Sequence, residues 1–354
     1  MMAPLAKAGR IHILGVGNLG RLFAHALAAQ PNPPPITLLL HRESLQREWD
    51  SANRQISLTI DDIPQTSSNY AVELINHASP PQELISNLIL TTKATKTYSA
   101  VSSIKSRLDE SSTILFTQNG MGIIPMLTNS LFPDVSTRPS YLSSITSHGL
   151  YSTAPFTSVV AGRASMLVSP VDSPPKEPPS SHYLRNQVVS SDLLNAKAVT
   201  PEEFTLLQLE KLVINSILNP LTTLFRLKNG PLLTHPPILS LARLLLSEVS
   251  QILSLLPEIR SLDLSPSSQF LELDLAHRFS PEELEIRVLD VAERTAGNTS
   301  SMLQDAMAHK ETEIEYINGY FVRRGREVGV DVHFNEMVVE MMEGCLGVLV
   351  ERLY

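Results

Sequence analysis

Near the N-terminus an apolar run, Ile11-His12-Ile13-Leu14, meets Gly15-Val16-Gly17-Asn18-Leu19-Gly20 and then a helical pattern that opens on Arg21. No other segment restricts the fold as strongly. In a strand–turn–helix of this kind Gly15 permits the tight turn and Gly17 lets backbone approach a pyrophosphate. Gly20 lets the helix pack closely on the strand. The helix N-terminus then offers unpaired N–H groups and positive dipole to phosphate. A purely structural glycine turn satisfies the same spacing, but the context favours a phosphate loop.

The residues that follow alternate strand and helix patterns. Apolar or β-branched runs predict strands at 11–14, 36–40, 70–74, 88–91, 113–116, 141–147, 158–161 and 166–169. Helical patterns fall at 19–29, 98–108 and 121–131. That alternation implies βαβ units and a largely parallel sheet. Residues 169–183 are proline-rich, without apolar periodicity, and read as an exposed or disordered insertion. Beyond them the pattern turns helical, at 201–227, 237–256, 281–296, 302–325 and 334–353, with a Pro/Ser-rich break at 262–268. Thr200-Pro201-Glu202-Glu203 and Ser280-Pro281-Glu282-Glu283 each place a capping hydroxyl before proline and two acids, a helix-start signature. The expected architecture is an α/β domain over 1–195, carrying the insertion, followed by an all-α domain over 196–354.

Length and composition agree: 354 residues suit two domains, and 43% hydrophobic with 18% charged residues is ordinary globular content. A net charge of −8 disfavours a nucleic-acid surface. One cysteine, Cys345, forms neither an internal disulfide nor a cysteine zinc cluster. The most apolar stretch, 238–256, is interrupted by Arg243 and Glu248, and residues 1–10 lack the pattern of a signal peptide. The expectation is a soluble cytoplasmic protein with no membrane or nucleic-acid partner.

Two further positions carry chemistry. The second predicted strand ends in His41-Arg42, where an NAD site would place an acid on the ribose 2′-hydroxyl. A guanidinium there suits a 2′-phosphate, which points to NADP; the alternative is a solvated Arg42 with Glu43 on the ribose. In EKLVINSILNPL, Lys211, Asn215 and Asn219 recur every four residues, about 40° apart around the helix, so they share one face. Apolar neighbours imply burial, and either a reacting site or a structural network would satisfy the three polar groups. Ser301 and Glu313 meet at one site only if Ser301 lies at a helix cap, for which Asn298-Thr299-Ser300-Ser301 has suitable chemistry.

Together these elements resemble the ketopantoate reductase (2-dehydropantoate 2-reductase) family over nearly the whole chain. The matching segments are GVGNLG, TTKA around Lys93, QNGMG around Asn119, and His148-Gly149. In the helical half they are EKLVINSILNPLTTLF, NTSSMLQD and ETEIEYINGYFVRRG. The resemblance implies a Rossmann-type NADPH-binding domain, a helical substrate domain, and reduction of ketopantoate to pantoate toward pantothenate and coenzyme A. It implies Lys211 as the catalytic proton donor and Glu313 as the carboxylate on the substrate hydroxyl. Asn215, Asn219, Asn298 and Ser301 would bind substrate, with Ser301 near its carboxylate. Gly15, Val16, Gly17, Asn18, Leu19, Gly20 and Arg42 would hold the cofactor, with Lys93 and Asn119 between cofactor and substrate. A monomer or homodimer is expected.

The chain departs from the family pattern at the Pro-rich insertion, at 161–165, and at 330–334 before the last helix. These departures leave room for a reductase of another branched 2-keto acid. A non-catalytic NADP-binding protein is the reading of a different class, and retention of Lys211, Glu313 and Ser301 argues against it. The ten histidines show no ligand spacing for a metal, and no G-x-S-x-G elbow is present.

Overall fold

The computed structural model describes residues 9–75, 83–171, 178–263 and 274–351. They form two compact units, Met1–Gln118 with Ile123–Phe204, and Asn119–Gly122 with Thr205–Tyr354. The division falls in the first turn of the helix Pro201–Phe225, nine residues beyond the boundary expected near Asn195.

Among the described residues of the first unit are twelve strands: β1 (Ile11–Leu14), β2 (Ile36–Leu40), β3 (Ile56–Ile60), β4 (Ile63–Ser67), β5 (Tyr70–Leu74), β6 (Asn87–Leu90), β7 (Thr113–Phe116), β8 (Ser140–Thr146), β9 (Gly149–Ala154), β10 (Thr157–Gly162), β11 (Met166–Pro170) and β12 (Ala196–Ala198). Eight make one sheet in the order β12-β11-β8-β7-β6-β1-β2-β5, parallel throughout except at β11–β8. The central strands β1, β2, β6 and β7 are buried along their whole length, which is why they read as continuous apolar runs rather than alternating ones. The register sets Leu14 beside both Leu39 and Leu90, so the loops leaving β1, β2 and β6 emerge at one edge.

A second sheet, β4-β3-β10-β9, has no counterpart in the sequence expectation apart from β10. Strand β4 is exposed and carries Pro64, Gln65 and Thr66, so no apolar alternation marks it. The hairpin signal lies in its turn, where Asp61 and Asp62 both take positive φ (50° and 62°) as a two-residue connection demands.

The Pro-rich segment is corrected by its flanks. Ser169 is buried in β11, and Pro179 opens a helix, Pro179–Val189, that buries Ser181, Leu184 and Val188. Proline at a first helical turn costs no hydrogen bond, so prolines here start a helix rather than exclude one. Residues 172–177 lie outside the described set, as does the 264–268 portion of the second break.

In the second unit the helix Pro236–Leu255 buries Leu245, Leu246, Val249, Ile252 and Leu253 in the core it shares with the helices Pro281–Arg294 and Asn318–Val328. Among the described residues it alone has the length and composition of a membrane span, at 20 residues. Its charges are used inside the unit: Arg243 pairs with Glu285, and buried Glu248 accepts from the N–H groups of Phe334 and Asn335. Both helix-start motifs form as expected, Thr200 accepting from Glu203 N–H at 3.3 Å and Ser280 from Glu283 N–H at 3.2 Å.

The helix expected over 302–325 is three pieces: Ser301–Met307, a 3-10 turn Ile314–Tyr316, and Asn318–Val328. His309 takes a left-handed φ of 52°. Lys310 N–H reaches back to Asp305 and His309 N–H to Ala306, closing the first piece with the paired bonds that usually need glycine.

Candidate active site

In the first unit the glycine loop separates structural from open positions. Gly15 has φ +101°, and a Cβ there would lie 2.7 Å from Thr92 N. A Cβ on Gly20 would lie 2.0 Å from Gly15 O. Both are required by the turn itself. At Gly17 nothing lies within 4 Å, so the fold itself does not require glycine there. The helix Asn18–Ala28 begins with no side-chain cap, so its first N–H groups are open to a ligand.

Asn18 Oδ1 accepts from Ser152 and Ser158 at 2.7 and 2.8 Å, which fixes that side chain against β9 and β10 through its oxygen. Arg21, which sequence reasoning passed over, is buried and donates to Val16 O, Ser152, Thr157 O and Ser158. It ties the phosphate-loop helix to β9 and β10. Its signal was the basic residue directly after the third glycine.

Val16 is buried and Leu19 half-buried at the same edge. Arg42 is exposed directly after β2, where it precedes the helix Glu43–Ser51. Glu43 is exposed too, 3.6 Å from Arg47. Lys93 stands exposed at the start of the helix Ala94–Ser102, after β6. Next to Lys93, Thr92 and Thr97 share a hydrogen bond of 2.9 Å, and Gln118 donates to Leu90 O and Thr92 O. His148 shares a 3.0 Å bond with Thr146, and burial lowers its pKa.

In the second unit Lys211 Nζ donates to Asn119 Oδ1 at 3.0 Å. Burial pushes the Lys211 pKa down from 10.5 to about 8, while the Glu313 carboxylate acts in the opposite direction. Glu313 is 6% exposed and stands just before the 3-10 turn Ile314–Tyr316. That turn also positions Asn119. Tyr316 O accepts from Met121 N–H at 2.8 Å, and Gly120, at φ +84°, passes so close that a Cβ would meet Tyr316 O at 2.4 Å. The short segment Asn119–Gly122 is thereby fastened beside both Lys211 and Glu313.

Asn219 is buried and Asn215 half-buried on the lysine helix. Asn298 and Ser301 are exposed. The cap of the helix Ser301–Met307 is Ser300, not Ser301: Ser300 Oγ accepts from Leu303 N–H at 3.1 Å and from Thr222 Oγ1 at 2.7 Å. Ser301 occupies the first helical position, joined to the lysine helix through that Ser300–Thr222 bond. Asn119 is therefore bonded directly to Lys211, with Glu313 within electrostatic reach of it, whereas Asn298 and Ser301 lie on an exposed loop and first turn. A lysine with a pKa near 8 beside a buried carboxylate can hold or release a proton near neutrality.

Two family models match, "Ketopantoate reductase PanE/ApbA" over residues 11–173 and "Ketopantoate reductase PanE/ApbA C terminal" over 203–345. The ketoisovalerate reductase BEA2 of Gibberella fujikuroi is 30% identical over 380 residues, covering 95% of this chain and 83% of that protein. A probable 2-dehydropantoate 2-reductase of Schizosaccharomyces pombe is 30% identical over 347 residues, covering 95% of this chain and 96% of that protein. Among solved structures, D-mandelate dehydrogenase with NADH and anilino(oxo)acetate superposes with a TM-score of 0.76 at 18% identity, covering 96% of this chain and 99% of that one. A probable 2-dehydropantoate 2-reductase from Bacillus subtilis gives 0.68 at 24% identity, covering 95% and 99%. With both halves of the chain matched in order, the protein belongs to the ketopantoate reductase family of oxidoreductases.

Proposed function

We propose that this chain is a cytoplasmic, NADPH-dependent reductase of branched 2-keto acids, working as a monomer or homodimer, with ketopantoate as its preferred substrate. Pantoate, a precursor of pantothenate and coenzyme A, is then the product. The observation that carries this reading is Lys211, hydrogen bonded to Asn119 and within electrostatic reach of buried Glu313. When bound, the nicotinamide supplies hydride to the keto carbon. Lys211 stabilises the charge that develops on the keto oxygen and donates the proton, while Asn119 orients its ammonium. Glu313 accepts a hydrogen bond from the substrate hydroxyl. Asn215, Asn219, Asn298 and Ser301 bind the remaining polar groups, with Ser301 toward the carboxylate. The clear space at Gly17 and the uncapped helix after it fit a diphosphate, flanked by Arg42 and Lys93.

A second reading, reduction of 2-ketoisovalerate, is favoured by the ketoisovalerate reductase among the relatives at 30% identity. Oxidation of NADPH by purified protein against a panel of 2-keto acids tests both. Fastest turnover of ketopantoate is expected. Fastest turnover of 2-ketoisovalerate selects the second reading, and no oxidation with any 2-keto acid overturns both.

Two expected results concern the cofactor. Arg42→Ala should weaken NADPH binding roughly ten- to a hundredfold, the loss of one charge-assisted contact, and leave NADH almost unchanged. Equal losses for both dinucleotides would remove Arg42 from the 2′-phosphate. Gly17→Ala, at φ −75°, should fold with unchanged or slightly raised stability yet bind NADPH poorly. A thermal melt and a binding titration on the same sample separate the two effects. Normal NADPH affinity would show that no ligand approaches the loop at Gly17.

A further inference from the structure

The lysine helix Pro201–Phe225 contains Pro220, well inside its length. Proline has no N–H, so Ser216 O, four residues earlier, is denied the helical bond that every ordinary residue would supply. That carbonyl is nevertheless paired. Asn318 Nδ2 donates to it at 2.9 Å, and to Asn335 Oδ1 at 3.1 Å. Asn335 Nδ2 in turn donates to Glu248 Oε2 at 2.8 Å. Ser216, Asn318 and Asn335 are fully buried and Glu248 nearly so. A carbonyl and a carboxylate accept but do not donate, so the two ends of this chain fix the orientation of both amides between them.

We propose that Asn318 is a positioning residue for the reaction, its amide replacing the bond that Pro220 withholds and so setting the local course of the helix between Asn215 and Asn219. The inference rests on the functional reading above in assigning those two asparagines to substrate. Its structural half, the coupling of Asn318 to Pro220, stands independently. Proline positions are where helices bend, and Ser216 to Pro220 is the stretch across which the polar face would lose its spacing. The surrounding hydroxyls reinforce the segment: Ser216 donates to Val213 O and Thr223 to Asn219 O. Asn318 itself follows the 3-10 turn that begins after Glu313. One amide therefore links the Glu313 segment to the Lys211 helix.

A double-mutant cycle on the full chain tests the coupling. Asn318→Leu removes both donors, and Asn318→Asp removes them while keeping the shape. Both should lower the melting temperature. In a Pro220→Ala background residue 220 has an N–H for Ser216 O, so the loss caused by Asn318→Leu should shrink, leaving the part that belongs to the bond with Asn335. Additive losses would overturn the assignment. Should Asn318→Leu fail to accumulate, recovery of folded Asn318→Leu/Pro220→Ala supports the coupling and its absence counts against it.

The positioning claim is read in kinetics. Misplacing Asn215 and Asn219 should raise KM for the keto acid roughly tenfold in folded Asn318→Asp, the scale of one lost hydrogen bond, with NADPH affinity unchanged. A lower kcat at unaltered KM would signify only a smaller active fraction and would reject positioning. Retained coupling in the melts, with no keto-acid turnover by wild type, would instead place the failure in the functional reading.

Discussion

Lys211→Ala should lower kcat by roughly 10²–10⁴, the range for a lost general acid, while NADPH binding stays intact. The size follows from what the side chain holds in place. Its Nζ is hydrogen bonded to Asn119 and faces Glu313, so removal leaves both polar partners around an empty position rather than exchanging one donor for another. The pH dependence has a definite sign. With the pKa lowered to about 8, the ammonium is present below that value, so kcat of wild type should hold near neutrality and fall as pH rises through about 8. In Lys211→Ala this alkaline limb should vanish. The stability linkage runs the other way. Between about 8 and 10.5 the unfolded chain holds the proton that the folded chain has lost, so the contribution of this group to stability rises with pH. Lys211→Ala loses that term, so inactivity caused by unfolding is distinguishable in a melt taken across the same pH range. Near-normal turnover in a folded variant would assign Lys211 to a structural network.

Residues whose pattern comes from burial were legible in the sequence. Strands β1, β2 and β7 lie where the apolar runs placed them, and the caps at Thr200 and Ser280 form through the residues that announced them. Features set by backbone geometry without a compositional mark were not. The turn at Asp61-Asp62 uses two aspartates in place of glycine, and His309 ends a helix in a left-handed conformation that nothing in its apolar spacing foretells. The helix Glu43–Ser51 buries only Leu45 and Trp49, one turn apart, amid charged neighbours. Within the candidate site the lysine face was visible from four-residue spacing. The fastening of Asn119 by Tyr316 O was not, because it depends on a backbone carbonyl distant in sequence. Ser300 and Ser301 are chemically alike, and only the structure tells which of them caps.

Glu313→Ala should lose most of the discrimination between ketopantoate and 2-ketoisovalerate. The two substrates differ at a hydroxyl that only ketopantoate carries, and a carboxylate is an acceptor suited to it. Sites built to bond a substrate hydroxyl reject the analogue lacking it by up to about 10⁴–10⁵, since the analogue strands a buried polar group. Glu313 already interacts with Lys211, which offsets part of that penalty, so wild-type discrimination should fall below this ceiling. The variant should impair ketopantoate far more than 2-ketoisovalerate. A retained ratio would move the hydroxyl contact elsewhere, with Asn219, buried on the lysine helix, as the next residue to test.

The central claim, that the Lys211–Glu313 site reduces a hydroxylated branched 2-keto acid, is tested most directly by competition in one vessel. Equimolar ketopantoate and 2-ketoisovalerate are mixed with wild-type protein and limiting NADPH, and the two hydroxy acids are quantified. At low conversion their ratio equals the ratio of kcat/KM values, free of differences in active fraction. The account predicts pantoate in excess by roughly 10² or more, as a stranded polar group requires. Equal amounts, or an excess of 2-hydroxyisovalerate, would contradict it.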